Sequence, residues 1–198
     1  MKRFILASAS SSRARLLRAA GVEFEIVPAA VDESVLKRAS VADGHDAATM
    51  ALRLAAEKAR SVAELHPDTV VLGADQILMF DGEAVSKCRD AREAFGLLRQ
   101  LRGRTHELVA AAVLAANGAE IWNHVDICRM TMRNYSDAFL SMYVSRADGA
   151  LLHSVGCYEF ESLGVQLFDR VEGDFFSILG LPLLPVLAAL REYGMIEQ

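Results

Sequence analysis

The sequence predicts an α/β fold with a mixed sheet and flanking helices. Apolar runs typical of strands alternate along the chain with segments of helical periodicity. Two dipeptides typical of tight hairpins, Asp81-Gly82 and Asn117-Gly118, lie in the middle of the chain and predict antiparallel pairs. No internal repeat or linker interrupts the pattern, so the 198 residues are expected to form one domain over 1–198.

The individual elements follow from local signals. Serines at 10–12 are candidate caps for a helix that ends at Gly21, and Gly103 and Gly194 end two later helices. A loop is expected around Val31-Asp32-Glu33. Strands are predicted over 4–7, 24–27 and 69–80 and on both sides of Asn117-Gly118, and helices over 46–65, 90–101, 136–146 and 183–193.

Charge and composition exclude several classes of protein. With 21 Lys and Arg against 26 Asp and Glu, the net charge of −5 argues against a broad nucleic-acid-binding surface. Three widely spaced cysteines form no zinc motif and are expected to be reduced thiols. The N-terminal apolar stretch over 4–7 is shorter than the ~7–15 residues of a secretory signal core. The apolar run over 178–190 is too short to span a bilayer, so we expect a cytoplasmic protein without a membrane partner.

The junction between the first strand and the first helix is a candidate anion site. A helix N-terminus offers free N–H groups, and Ser10, Ser12 and Arg13 lie there. Arg13 shares a face with Leu16 and Leu17, where a cation is misplaced unless an anion is present. From this segment alone, however, a plain serine cap with a surface arginine is the favoured interpretation.

Two further residues interrupt apolar patterns. Lys58 continues the inward stripe of Ala51, Leu54 and Val62, so it either extends to the edge of that face or reaches an anion. Asp75 lies within an apolar strand, where a carboxylate needs a partner, a metal or access to water. A cap at a strand end is the structural alternative for Asp75, and a catalytic or metal-binding role is favoured because apolar residues continue on both sides.

Four other polar residues are weaker candidates when taken singly. Glu33 is expected in a loop, where acids are usually solvated, and Lys87 follows a hairpin, where most lysines are on the surface. Glu161 lies between Gly156 and Gly164, where a loop could fold over a ligand. A single histidine such as His106 is more often structural.

Taken in order, these segments resemble the Maf family along essentially the whole chain. The family opens with a phrase close to LASxSPRRxxLL, for which this chain has LASASSSRARLL, and continues with an acid pair and the phrase LAxxKA. Next in the family pattern is a strand that ends in an aspartate flanked by an alcohol or amide residue. It is followed by a Lys-Pro, a Gly-x-x-His and a phrase like EGDYxxxxGLPL. The matching segments are 31–33, 54–59, 73–76, 87–88, 103–106 and 172–183.

The resemblance implies an elongated sheet with two lobes around a nucleotide cleft, similar to inosine triphosphatases, and a homodimer. It implies Asp75 as the catalytic base, and Glu33 with Asp75 as ligands of a divalent cation, Mg²⁺ or Mn²⁺. It implies that Ser10, Ser12, Arg13, Lys58, Gln76, Lys87 and Glu161 bind the substrate.

Two departures from the family pattern bear on rate and affinity. Ser11-Ser12-Arg13 replaces the usual Pro-Arg-Arg, and Cys88 replaces the usual proline after Lys87.

The family pattern also bears on specificity. The pyrimidine-acting branch carries a Thr after the catalytic aspartate and a Gln in the late glycine-containing loop, where this chain has Gln76 and Glu161. The chain is therefore expected to lie nearer the branch that acts on 7-methyl-GTP, or to be a broad relative of it. Glu161 could equally bind metal or face water.

The expected activity is hydrolysis of a nucleoside triphosphate to a monophosphate and pyrophosphate. The alternative is a nucleotide-binding regulator of septum formation with little turnover, since the family name comes from such an effect. A phosphatase that releases orthophosphate is a weaker alternative, because no aspartyl nucleophile motif follows the first strand.

Overall fold

The structure is a computed structural model that describes residues 3–147, 151–152 and 154–197. Its sheet has seven strands in the order β2-β1-β3-β5-β6-β7, with β4 paired to β3, which confirms the predicted α/β fold with a mixed sheet. The strands are β1 (Arg3–Leu6), β2 (Glu25–Ile26), β3 (Thr69–Phe80), β4 (Glu83–Val85), β5 (Thr105–Ala116), β6 (Ala119–Met132) and β7 (Phe168–Glu172).

The described residues include seven α-helices and a 3₁₀ helix before β7. None of the described helices is long and apolar enough to cross a membrane. The α-helices are α1 (Ser11–Ala19), α2 (Glu33–Ala42), α3 (Ala47–Ala63), α4 (Ala91–Leu101), α5 (Asp137–Ala147), α6 (Phe175–Ile178) and α7 (Leu183–Glu192), and the 3₁₀ helix is Leu163–Leu167.

The chain divides into two compact units. The first unit consists of 1–76, 110–126 and 174–198, and the second consists of 77–109 and 127–173. The apolar core of the first unit joins β1 and β3 to α1 and α7 through residues such as Leu6, Leu17, Leu72 and Leu190. In the second unit, the hydroxyl of Tyr135 donates to the carbonyl of Leu98 in α4 at 2.6 Å.

Both predicted hairpins are confirmed. Asp81 and Gly82 have φ of 53° and 81°, and Asn117 and Gly118 have φ of 51° and 75°. Positive φ at both central residues is the signature of the type I′ turn, which Asn-Gly and Asp-Gly favour because it matches the twist of the flanking strands. The turns connect β3 to β4 and β5 to β6.

The loop predicted at Val31-Asp32-Glu33 is present at Val31 and Asp32, but the helix that follows it was not predicted. Glu33 begins α2, and Asp32 is its N-cap, accepting hydrogen bonds from Ser34 N at 3.0 Å and Val35 N at 3.1 Å. The helix escapes periodicity analysis because it buries little apolar surface, and its Val35 is exposed. The cap pattern, an aspartate ahead of a helix start, was the available signal.

Strand pairing in the first unit brings the α1 N-terminus beside the end of β3. Strands β1 and β3 run parallel, with Leu6 opposite Leu72, and Ala7 N donates to Leu72 O at 2.8 Å. Strand β3 then continues past the end of β1 through Asp75. In open α/β sheets, ligands bind at the carboxyl ends of parallel strands, so this edge is where a site is expected.

Candidate active site

The N-terminus of α1 is capped by serines and leaves backbone N–H groups free. Ser10 is the N-cap, and its hydroxyl accepts from Arg13 N at 3.4 Å, while the buried Ser8 hydroxyl accepts from Ser10 N at 3.2 Å. The N–H groups of Ser11 and Ser12 have no hydrogen-bond partner among the described residues. Free N–H groups at a helix N-terminus favour a negatively charged ligand.

Arg13 is buried, so the interpretation as a surface arginine was wrong. Only 8% of the residue is exposed, and its guanidinium donates to Gly180 O at 2.8 Å and to the Ser8 hydroxyl at 3.1 Å. These bonds use two of five N–H donors, which leaves three for a ligand. Burial lowers the pKa of the Arg13 guanidinium, and the negative charges of Asp75 and Glu33 oppose that shift.

Lys58 is buried on the inward face of α3 and is paired with two carboxylates. Its Nζ lies 2.6 Å from Asp75 Oδ1 and 2.7 Å from Glu33 Oε1, and its side chain is 10% exposed. Of the two alternatives for this residue, the structure therefore favours an anion partner over extension into solvent. Glu33 also lies 3.8 Å from Lys37, one turn along α2.

Asp75 lies inside β3 and not at a strand end, which excludes the structural alternative. It is 4% exposed, and Lys58 supplies the partner that a buried carboxylate requires. Its second oxygen, Oδ2, is buried and has no hydrogen-bond partner among the described residues. A buried carboxylate oxygen without a hydrogen-bond partner destabilises the protein, and a ligand, a metal or water that binds this atom would offset that cost.

Gln76 points to the opposite face of β3 from Asp75, since successive side chains of a strand alternate. Its amide Nε2 donates to Ser177 O at 2.9 Å and to Ile178 O at 3.1 Å. Both donors of the amide are therefore used, which fixes the orientation of the group. Its Oε1 remains available as an acceptor for a ligand that presents a donor.

The acidic pair of Glu33 and Asp75 is the candidate metal site. No group of three or more His, Cys, Asp or Glu residues suited to a metal occurs in the described part of the chain. Mg²⁺ is commonly held by one or two carboxylates together with water and substrate phosphates, so a pair is sufficient. The unpartnered Asp75 Oδ2 and the carboxylate chemistry of both residues fit a hard divalent cation.

The other two predicted ligands lie in the second unit. Lys87 is exposed after β4, and no hydrogen bond or ion pair of this residue occurs within the described residues. Glu161 is exposed in the turn that precedes the 3₁₀ helix. In the same unit, His106 is structural: its Nε2 bonds to the Tyr158 hydroxyl at 2.7 Å, and burial lowers its pKa to about 4.

Sequence analysis missed Ser8, Ser177, Gly180 and Asp126 as parts of this region. Ser8 and Gly180 bind Arg13 directly, and Ser177 binds Asp126 through its hydroxyl at 2.6 Å. The signal was weak for Ser8, which is one of several serines. For Gly180, the phrase over 172–183 marked the segment but not a role.

The fold and this site define an α/β protein in which the buried Arg13, Lys58 and Asp75 and the half-exposed Glu33 form a charged cluster beside a helix N-terminus. This arrangement is suited to a phosphorylated ligand. The chain matches the family described as Maf-like protein over residues 3–193, and it belongs to that family.

Named relatives match nearly the whole chain. The nucleoside triphosphate pyrophosphatase of Granulibacter bethesdensis is 47% identical, covering 96% of this chain and 97% of that protein. The 7-methyl-GTP pyrophosphatase of Rhizobium meliloti is 45% identical, covering 98% and 97%. Among solved structures, a HAM1 protein from Coxiella burnetii is similar with a TM-score of 0.41 and 19% identity, over 68% of this chain and 75% of that chain.

Proposed function

We propose that this protein hydrolyses a nucleoside triphosphate to a nucleoside monophosphate and pyrophosphate. It is a hydrolase by its relatives, two of which are named pyrophosphatases at 45% and 47% identity over nearly their full length. The observation that carries the proposal is the buried Lys58, which forms ion pairs with Asp75 and Glu33. Arg13 also interacts electrostatically with both carboxylates. Such a cluster supplies both a base and compensation for phosphate charge.

The roles follow from the chemistry of the groups. A water molecule attacks the α-phosphorus and transfers its proton to Asp75, and the bond from the α-phosphorus to the bridging oxygen breaks to release pyrophosphate. Arg13 has three N–H donors left for phosphate oxygens, and the N–H groups of Ser11 and Ser12 add further donors. Lys58 offsets negative charge that develops in the transition state.

A divalent cation belongs to this proposal. Glu33 and Asp75 would hold it, because both carboxylates form an ion pair with Lys58 Nζ and therefore lie close together. When bound, Mg²⁺ or Mn²⁺ would neutralise phosphate charge and orient the triphosphate. The homodimer and the cytoplasmic location stay predictions.

Asp75→Asn tests the base. The substitution keeps the size of the side chain and removes its ability to take a proton, so pyrophosphate release should fall by roughly 10²–10⁴-fold, the usual contribution of a general base. The control is Asp68→Asn, the same substitution at an exposed position whose positive φ suits asparagine. An Asp75→Asn protein that is folded and as active as Asp68→Asn would overturn the role of Asp75. Absence of pyrophosphate release from any triphosphate by the parent would favour the nucleotide-binding regulator.

We further propose that guanine nucleotides, 7-methyl-GTP among them, are preferred. Guanine presents two adjacent donors that one carboxylate accepts together, and Glu161 is the acid placed for this by the family pattern. A positive charge on 7-methylguanine would strengthen that contact. The test compares 7-methyl-GTP, GTP, UTP and dTTP for the parent and for Glu161→Gln. A parent that prefers UTP or dTTP, or a ranking unchanged by the substitution, would contradict this specificity.

Lys87 is proposed to bind the departing phosphates. Lys87→Ala should weaken binding of a triphosphate more than binding of the corresponding monophosphate, because its charge would face the pyrophosphate portion. Calorimetric titration with GTP and GMP measures both. Equal losses for the two nucleotides would show that Lys87 contacts neither of the outer phosphates.

A further inference from the structure

A short segment at the end of α6 connects strand β3 and helix α1 of the first unit. Ser177 O and Ile178 O accept from Gln76 of β3, and Gly180 O accepts from Arg13 of α1 at 2.8 Å. We refer to residues 177–180 as the carbonyl turn. Because the Gly180 carbonyl of this turn holds the Arg13 guanidinium, the position of the turn affects where the three remaining N–H donors of Arg13 point.

The carbonyl turn is held in place by contacts of the Ser177 hydroxyl with two carboxylates. The fully buried Ser177 Oγ lies 2.6 Å from Asp126 Oδ2 and 3.0 Å from Asp174 Oδ2, and Ser177 N donates to Asp174 Oδ2 at 2.7 Å. Asp174 is the N-cap of the four-residue α6. Asp126 belongs to β6, so the hydroxyl of Ser177 connects the turn to the sheet.

The cluster is not itself a nucleophilic site. A serine nucleophile needs an adjacent general base, most often an imidazole, and access to substrate. Ser177 is completely buried, and its partner is a carboxylate, while His124 binds the other oxygen of Asp126 at 2.9 Å. The order of groups is therefore His124–Asp126–Ser177, which orients the serine and does not activate it.

We propose that Ser177 and Asp126 are positioning residues that hold the carbonyl turn, and through it Arg13, in the geometry that binds the triphosphate. The charged guanidinium is buried, so a shift of Gly180 O would leave it without one of its two partners. Binding of phosphate depends on the direction of the remaining donors, and small misplacements of such groups are costly. The inference rests on the proposed function for its kinetic arm.

Ser177→Ala is the primary test, and Tyr193→Phe is its control. Tyr193 donates to Ile121 O at 2.6 Å in the same unit and touches no residue of the carbonyl turn by hydrogen bond. Each variant loses one hydroxyl, so both should lower the free energy of unfolding. Only Ser177→Ala should raise KM for GTP, by roughly tenfold with kcat changed much less, as expected for a displaced charged donor.

Asp126 provides the conservative comparison. Asp126→Asn keeps an oxygen that accepts from the Ser177 hydroxyl, so KM for GTP should stay near that of the parent. Asp126→Ala removes the acceptor and should match Ser177→Ala. An Asp126→Asn protein as impaired as Asp126→Ala would show that the charge matters and the hydrogen bond to Ser177 does not, which overturns the positioning role.

A double-mutant cycle tests whether the effect passes through Arg13. With inorganic tripolyphosphate as the calorimetric probe, Ser177→Ala should weaken binding in the parent but change it less than about twofold in Arg13→Ala, because the group it positions is absent. Equal losses in both backgrounds, or the same loss in Tyr193→Phe, would overturn the inference. If the parent releases no pyrophosphate from GTP while the tripolyphosphate cycle behaves as expected, the proposed function fails and the positioning role stands.

Discussion

Lys58→Met removes the cation from a pair that is almost entirely buried. The side chains of Lys58 and Asp75 are 10% and 6% exposed, and their charged atoms are 2.6 Å apart. Methionine retains most of the aliphatic length, so the main change is an unpaired carboxylate inside the first unit. Breaking a buried pair by removing one partner costs about 3–5 kcal/mol. For a chain of this size that corresponds to a fall in Tm of roughly 10 °C.

The single tryptophan offers a local assay. Trp122 lies in the first unit, so its fluorescence during thermal or urea unfolding follows the unit that contains the pair. Lys37→Met is the matched control, because Lys37 pairs with Glu33 at 3.8 Å but is 36% exposed. An exposed pair contributes about 0–1 kcal/mol.

A second substitution distinguishes an unpaired charge from lost packing. Adding Asp75→Asn to Lys58→Met replaces the stranded carboxylate with a neutral amide and should restore most of the lost stability. If Lys58→Met is no less stable than Lys37→Met, or if the double variant recovers nothing, the reasoning about a buried pair is refuted.

Three further predictions concern other parts of the molecule. Burial lowers the pKa of His106 to about 4, below its unfolded value. Above pH 6.5 the neutral histidine contributes about 3 kcal/mol to the free energy of unfolding relative to low pH, and this contribution is lost as the pH falls toward 4. Urea unfolding of the parent and of His106→Gln across that pH range measures the difference. Gly73→Ala should destabilise by about 1–3 kcal/mol or more, since an added Cβ would lie 2.1 Å from Ala55 O and 2.6 Å from Ala59 N, a clash with backbone that urea titration detects. Removal of divalent cations with a chelator should abolish pyrophosphate release, and excess Mg²⁺ should restore it.

Each of these has a result that would contradict it. A parent and His106→Gln protein with parallel stability curves between pH 4 and 7 would show that the histidine does not titrate as inferred. Gly96→Ala is the control for Gly73→Ala, because a Cβ at Gly96 meets nothing within 4 Å. Undiminished activity in the chelated enzyme would remove the metal from the proposed mechanism.

Much of the fold followed from short-range patterns. The Asn117-Gly118 turn was predicted because few dipeptides adopt two successive positive φ values, and local sterics alone decide that preference. The helix over 46–65 was predicted from its apolar stripe and is α3 in the structure. By contrast, α2 was missed because a mostly exposed helix leaves no periodic apolar signal. The strand predicted over 24–27 is present as β2, which is only two residues long.

The candidate site was predicted in part. Asp75 and Lys58 each broke an apolar pattern, so the sequence showed that both needed partners without showing that they are partners of each other. Gln76 was predicted to bind substrate, and that role stays a prediction. Its amide donors are held by carbonyls about 100 positions away in the chain, which no local pattern reveals.

The sequence by itself therefore determined the fold class, the turns and the unusual polar residues, because these depend on sterics and periodicity over a few neighbouring positions. Only the tertiary structure decided that Arg13 is buried, because its guanidinium is held by the carbonyl of Gly180, which is 167 positions along the chain. The same applies to Glu33, which reaches Lys58 only when α2 packs beside α3. Contacts of this kind arise from the packing of distant elements, and the physical cost of burying a charge shows that a partner must exist but not which residue supplies it.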